Sequence, residues 1–381
     1  MQNQFELNDD QVAIQDMARK FTADAITPFA AEWDEKSHYP VDVWKAAGAL
    51  GFGGIYVSEE SGGTGLGRLE AALIMEAMAY GCPTTSAFIS IHNMAAWMID
   101  CFGNAELKAR YLPDLVPMNK IASYCLTEPG SGSDAAALKT TARRDGDDYV
   151  LNGTKQFISG AGYNDIYVVM VRTNDNGAKG ITCLVVEKDT PGLSFGAPEK
   201  KLGWNASPTA QVIFEDCRVP VANRVGAEGD GFRFAMAGLD GGRLNIGACS
   251  LGGAQRCLDE SIAYTKERQQ FGQPVSEFQN TQFMLADMAT DLEAARALLY
   301  IAAAKVTANA PDKSRFSAMA KRLSTDSGSE IVNQALQLFG GYGYLRDYPI
   351  ERFWRDLRVH SILEGTNQVM RMIIGRDLLR Q

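Results

Sequence analysis

A chain of 381 residues, 46% hydrophobic and 22% charged, has the length for two or three packed sub-domains and the composition of an ordinary globular protein. The longest apolar stretch, residues 87–102, is broken by Ser90, His92, Asn93 and Asp100, so a membrane span is not expected. The net charge of −9 is divided as −11 over residues 1–230 and +2 over residues 231–381, which argues against a nucleic-acid binder and leaves room for a compact polyanion held by a few arginines.

Seven scattered cysteines, an odd number with no C-x-x-C, point to reduced thiols. The three histidines, His38, His92 and His360, share no ligand spacing with them. That speaks against a metal centre and against a hydrolase built on a catalytic histidine. The opening MQNQFELNDDQ lacks a basic region, an apolar run and arginine-rich amphipathic character. The expectation is a chain without signal or transit peptide, bacterial cytoplasmic or mature in an organelle.

In chain order, Asn8/Asp9 is a cap signal for a first helix whose stripe is Ile14, Met17, Ala18, Phe21 and Ala25. Further helices are expected at residues 43–51, 68–81 and 86–103. From residue 121 the texture turns to short Val/Ile/aromatic runs at 149–151, 166–171, 181–186 and 211–214. Asp145-Gly146, Asn152-Gly153 and Pro191-Gly192 punctuate them, as in an antiparallel module. Because these strands do not alternate with helices, a parallel Rossmann sheet is disfavoured. Long helical patterns return at 232–268, 279–309, 314–339 and 366–379, rich in Ala and Leu as in a bundle. The expected class is a multi-domain α+β chain: helical residues 1–120, β residues 121–230, helical residues 231–381. Ligands commonly sit where such domains meet.

The most informative segment is SILEGTNQ, residues 361–368. It sets Glu364 behind Ile362 and Leu363, with Gly365 permitting close backbone approach and Thr366 placed to cap a final helix. A carboxylate in apolar surroundings loses solvation and its pKa climbs, which suits a base that takes a weakly acidic proton from carbon. On spacing alone, a capping-region Glu on a solvated turn is the favoured reading. Tyr124-Cys125-Leu126-Thr127-Glu128-Pro129-Gly130-Ser131-Gly132-Ser133-Asp134 supplies glycines and hydroxyls that suit phosphate oxygens or simple turns. Lys155-Gln156-Phe157-Ile158-Ser159-Gly160 ends a strand with an aromatic beside a hydroxyl, fit for a flat ligand or for the core. Arg268-x-x-Phe271-Gly272, Gln279 and Gln337-x-x-Gly340-Gly341 close long helices, and a guanidinium there suits a pyrophosphate.

Taken together and in this order, YCLTEPGSGSD, KQFISG, ERQQFG, QLFGGYGY and ILEGTNQ resemble the acyl-CoA dehydrogenase family over essentially the whole chain. The resemblance implies an N-terminal helical domain, a central antiparallel β domain and a C-terminal four-helix domain, assembled as a homotetramer. It implies non-covalent FAD, with Tyr124, Leu126, Thr127, Gly132, Phe157, Ile158 and Ser159 around the flavin and Ser133 near pyrophosphate or thioester. Arg268, Phe271 and Gln279 would hold the adenosine diphosphate half, completed by the neighbouring subunit's counterparts of Gln337, Gly340 and Gly341, with Thr366 and Gln368 also near the cofactor. Asp240 and Arg243 match the helix lining the acyl-CoA channel, and Gly365 adjoins the base.

Glu364 matches the family's base, its N–H helping to polarise the thioester carbonyl. Some relatives carry their Glu at the position of Gly242, so here Glu364 alone serves. Phe157, where straight-chain members usually have Trp, favours a short branched acyl group, with isobutyryl-CoA the expected substrate in valine breakdown. Asp240, where Asn is expected for that substrate, is a departure. 2-Methylbutyryl-CoA and short straight chains are the nearest alternatives. Electron-transferring flavoprotein is the expected acceptor. A DNA-associated alkylation-response protein on the same fold is disfavoured by Glu364 and the acidic charge.

Overall fold

The computed structural model describes residues 6–380. Its first part is helical: α1 (Asp9–Ala25), α2 (Ala30–Lys36), α3 (Val41–Ala49), α4 (Arg68–Gly81), α5 (Pro83–Phe102) and α6 (Ala105–Leu115). A capping box starts α1. Asn8 Oδ1 accepts from the Gln11 N–H at 2.8 Å, and Gln11 Oε1 accepts from the Asn8 N–H at 3.1 Å. In the expected stripe Ala18 and Phe21 are buried, but Met17 is exposed, because the buried face of Ala18, Phe21 and Thr22 leaves it at the stripe's edge.

Helices α4 and α5 are buried on nearly every face, because α4 lies between α1 and a long later helix, α7 (Gly231–Glu267). The polar residues that interrupt α5 have internal partners instead of solvent. Asn93 accepts from the Ile55 N–H at 2.8 Å and donates to Phe52 O at 2.7 Å. His92 Nδ1 accepts from the Ala122 N–H at 3.0 Å, which leaves Nε2 as donor to Leu115 O at 2.9 Å. Burial pushes this imidazole down to about 4, so it is neutral and structural.

The middle region holds β1 (Ala122–Cys125), β2 (Thr141–Asp145), β3 (Asp148–Ser159), β4 (Ile166–Arg172), β5 (Ile181–Glu187), β6 (Leu193–Phe195), β7 (Thr209–Pro220) and β8 (Arg224–Val225). They form one sheet in the order β6-β7-β3-β2-β4-β5-β8, with β1 added on β4. The expectation of an antiparallel sheet needs one correction. β1 runs parallel to β4, from Ala122 opposite Ile166 to Cys125 opposite Val169, and β2 meets β4 in parallel at Thr141 and Arg172. A parallel neighbour requires a long crossover, and the β2–β3 hairpin, inserted between β1 and β4, provides it. On β4 the alternation is clean: Ile166, Val168 and Met170 face the helical cluster with α5 and α6, while Tyr167, Val169 and Val171 pack with Phe214. Both faces are therefore covered, which is why β4 and β5 read as unbroken apolar runs.

The last part is α7 with α8 (Gln279–Thr307), α9 (Lys313–Phe339), α10 (Ile350–Leu357) and α11 (Asn367–Leu378). α7 and α9 approach closely through small residues; a Cβ on Gly328 would stand 3.1 Å from Ser250 Cβ. Between α7 and α8 lies a hairpin of β9 (Gln269–Gln270) and β10 (Gln273–Pro274). Its two turn residues, Phe271 and Gly272, have φ of 53° and 82°, the left-handed pair that a tight hairpin turn demands.

Candidate active site

A cavity of about 1150 Å³ opens where α5, the ends of β1 and β3, α7 and the turn before α11 converge. Its β wall is made by Tyr124 in β1, by Leu126 and Thr127 just after it, by Gly132 and Ser133 in the following loop, and by Phe157, Ile158 and Ser159 at the end of β3. A bulge aims the aromatic. Lys155 pairs with Val212 and Ile158 with Ala210, so Gln156 and Phe157 together face one residue of β7. Phe157 takes φ 59° there and is 63% exposed, with the cavity on its open side.

A buried ion pair braces the loop behind this wall. Lys155 Nζ donates to Glu128 at 2.8 Å and to Leu126 O at 3.1 Å. Glu128 also accepts from the backbone N–H groups of Lys139 and Thr140 at 2.6 and 2.8 Å. Burial works against its charge, yet Lys155 and those donors hold its carboxyl below the usual range. Ser123 Oγ adds a bond to Ser159 O at 2.7 Å, tying β1 to the end of β3.

The opposite wall carries Arg243 on α7 and Glu364, Gly365, Thr366 and Gln368 around the start of α11. Thr366 Oγ1 accepts from the Val369 N–H at 3.2 Å and so caps that helix. The two residues before it are left-handed, Glu364 with φ 56° and Gly365 with φ 87°. Glu364 borders the cavity, but its Oε2 is sealed from solvent and accepts no hydrogen bond among the described residues. Burial drives its pKa up to about 7, against the pull of Arg243 and Lys321. Its backbone N–H makes no hydrogen bond among the described residues. Space for the carboxylate comes from α7, since a Cβ at Gly242 would stand 2.6 Å from Oε2. A base at position 242 and one at 364 thus compete for the same volume.

Asp240 does not line the cavity. Its carboxylate turns back to Arg243 Nη1 at 2.7 Å and to Ser314 Oγ at 2.5 Å. A carboxylate i−3 from an arginine on one helix face is placed to pair with it. Six expected cofactor residues also lie elsewhere. Arg268 ends α7, Phe271 tips the hairpin at 95% exposure, Gln279 begins α8, and Gln337, Gly340 and Gly341 close α9. They form a second patch, in which the Arg268 guanidinium sits 5.4 Å from the Tyr342 ring centroid.

The structure adds cavity residues that the sequence reading passed over. Arg355, Arg358, Arg376 and Lys201 bring positive charge to its wall, and Trp204 presents a buried indole N–H with no partner. Arg355 is held there by Asp34 and Glu351, each at 2.6 Å. An apolar sleeve of Ala87, Ile91, Met94, Met236, Leu239 and Ile246 completes the lining. Its residues lie on two helices far apart in sequence, so no local pattern announces them.

Residues 8–119, 123–217 and 229–379 match the N-terminal, middle and C-terminal domains of acyl-CoA dehydrogenase. The chain is 57% identical over 373 residues to the mitochondrial isobutyryl-CoA dehydrogenase of Dictyostelium discoideum, covering 98% of this chain and 90% of that one. It is 54% identical over 375 residues to the Bos taurus mitochondrial isobutyryl-CoA dehydrogenase, with 98% and 90% covered. It superposes on butyryl-CoA dehydrogenase from Megasphaera elsdenii with a TM-score of 0.96 at 38% identity, over 99% of this chain and all of that one.

Proposed function

The chain belongs to the acyl-CoA dehydrogenase family, and from that premise we propose that it converts isobutyryl-CoA to methacrylyl-CoA, with Glu364 removing the α-proton. The enzyme is an oxidoreductase and FAD is its cofactor, as in the rest of the family. The cavity suits that group: the Tyr124 hydroxyl and the Trp204 indole N–H are buried polar atoms without protein partners, and both lie on its wall. When bound, FAD supplies the acceptor for the hydride that leaves the β-carbon.

The chain's own residues do the rest. Glu364 Oε2 has no protein donor to compete for its lone pairs, so it is free to accept a proton from carbon. A carboxyl poised near 7 is half ionised at neutrality and is the stronger base for its poor solvation. This unpartnered, sealed oxygen is the observation that supports the assignment most. The free N–H of Glu364 is suited to donate to the thioester carbonyl, where negative charge grows as the α-proton departs. The apolar sleeve excludes water from the acyl group. Because the base form gains population as pH rises, kcat/KM is expected to climb through about pH 7.

The isobutyryl preference is supported by two relatives that share more than half of this chain's residues. We further propose that the reaction belongs to valine breakdown, with electron-transferring flavoprotein as acceptor and a homotetramer as the assembly, which the family resemblance supports. Anaerobic mixing with isobutyryl-, 2-methylbutyryl-, isovaleryl-, butyryl- and octanoyl-CoA tests the substrate. Loss of the oxidised-flavin absorbance band should be fastest with isobutyryl-CoA. Faster loss with another thioester would overturn the substrate and keep the chemistry, and no loss with any would overturn both.

A further inference from the structure

Lys321 is a fully buried cation on α9, among Ala318, Ala320, Ser324 and Thr325, and among the described residues no carboxylate lies within ion-pair distance of it. What it grips is the turn that presents Glu364. Its Nζ donates to Gly365 O at 2.9 Å and to Asn367 Oδ1 at 2.8 Å. Asn367, the first residue of α11, donates in turn to Thr325 Oγ1 at 2.9 Å and to Asp326 Oδ1 at 2.6 Å. The neighbouring carbonyl, Glu364 O, accepts from Arg243 Nε at 3.3 Å. Two successive carbonyls are thus drawn to two cations, one from α9 and one from α7.

Such ties are needed. A glutamate in the left-handed region costs about 1 kcal/mol or more and persists only where its surroundings impose it. A residue with a side chain would be strained at position 365, where φ is 87° and a Cβ would also push the end of the Met370 side chain aside. A buried lysine is also expensive, so its presence without a carboxylate partner calls for a role that an uncharged residue would not fill.

We propose that Lys321 is a positioning residue for the base, fixing the left-handed Glu364–Gly365 turn and holding a buried positive charge behind the Glu364 carboxylate. The inference rests on the reading of Glu364 as the base. Burial brings the Lys321 pKa down to about 8, which leaves it mainly protonated where Glu364 ionises. The other groups facing this corner are Arg243, paired with Asp240, from α7; Asp326, tied to Asn367, from α9; Tyr124 after α6; and Tyr56 after α3. His360, in the helical segment before the turn, is pushed by burial and by Lys321 down to about 3 and stays neutral. Arg243 and Lys321 are therefore the two charges that favour the ionised base.

Lys321→Met and Lys321→Gln in the flavin-loaded enzyme test this. Methionine removes both charge and hydrogen bonds, whereas glutamine keeps an amide donor for Gly365 O. Removing the charge should move the rising limb of kcat/KM upward by about one pH unit in both, a loss of about tenfold at pH 6 that is largely recovered on the alkaline plateau. The Glu364 carboxyl stretch, identified by its disappearance in Glu364→Gln, should titrate with the same displacement in infrared spectra. Melting temperature and flavin content verify folding, and Lys321→Gln decides the matter if Lys321→Met does not fold. An unmoved limb and an unmoved infrared titration would overturn the proposal while leaving the base assignment intact. Full activity in Glu364→Gln would instead sink the base assignment, and Lys321's role with it.

Discussion

The two ends of the C-terminal helical domain treat their functional residues in opposite ways. Around Glu364 the charges are enclosed and anchored within the chain: Arg243 by Asp240, Lys321 by Gly365 O and Asn367, and the turn itself by its cap at Thr366. At the hairpin between α7 and α8 the reverse holds. Phe271 is 95% exposed, Tyr344 81%, and Arg268 is neighboured by the Tyr342 ring at 5.4 Å. Chemistry requires groups fixed to within a fraction of an ångström, and the first end, where we propose the base, is built as protein interior. A patch that only holds a ligand or a second subunit is completed by what arrives, and the second end has that unfinished form.

The largest effect should follow from removing the base. Glu364→Gln preserves shape and the Oε1/Nε2 volume beside Gly242, so FAD and acyl-CoA binding should persist while kcat drops at least ~10²–10⁴-fold. Stopped-flow reduction with isobutyryl-CoA measures this, and near-normal rates would remove the chemistry from this end of the domain. A gentler blow to the same corner is Gly242→Ala. The added methyl occupies the space of Oε2, and displacement of the carboxylate by about 1 Å is expected to lower kcat about 10²-fold. An unaltered rate would mean that the carboxylate swings clear, and that the close fit against α7 is not what aims it.

The contrast between the ends also decides what was legible in the sequence. Elements with an internal period or a cap, such as α1 behind Asn8 and α11 behind Thr366, could be read because their signals are local. The parallel pairing of β1 with β4 could not, since each strand is a short apolar run and register depends on where the β2–β3 hairpin lands. The poor solvation of Glu364 was hinted at by Ile362, Leu363 and Gly365, although spacing alone favoured a solvated cap and the family motif carried the reading. Lys321 was not legible, because a lysine in a helix of mixed polarity looks like a solvated one until Asn367 and Gly365 O are found beside it. The direction of Asp240 was hidden for a related reason: motif position gives the helix face, while the partner Arg243 three residues on gives the direction of the side chain.

The smallest effects are expected at the open end, and they separate binding from chemistry. Arg268→Ala removes a guanidinium suited to a pyrophosphate, and a charge-assisted contact of that kind is worth ~1.5–3 kcal/mol, or roughly tenfold to a hundredfold in affinity. FAD should therefore be lost on gel filtration, while kcat at saturating FAD changes little. Unchanged flavin occupancy would show that the patch does not hold the cofactor. Phe271→Ala is the finer probe. A side chain so exposed contributes little to the fold of one chain, so its loss should alter the unfolding free energy of the apoprotein by no more than ~0.5 kcal/mol. If the ring instead packs on FAD or on a second subunit, flavin retention or assembly mass will fall in that same variant. A variant neutral in all three would leave Phe271 with only the work of closing a two-residue turn. Its φ of 53° is unfavourable for an aromatic and would suit Asn or Gly better there.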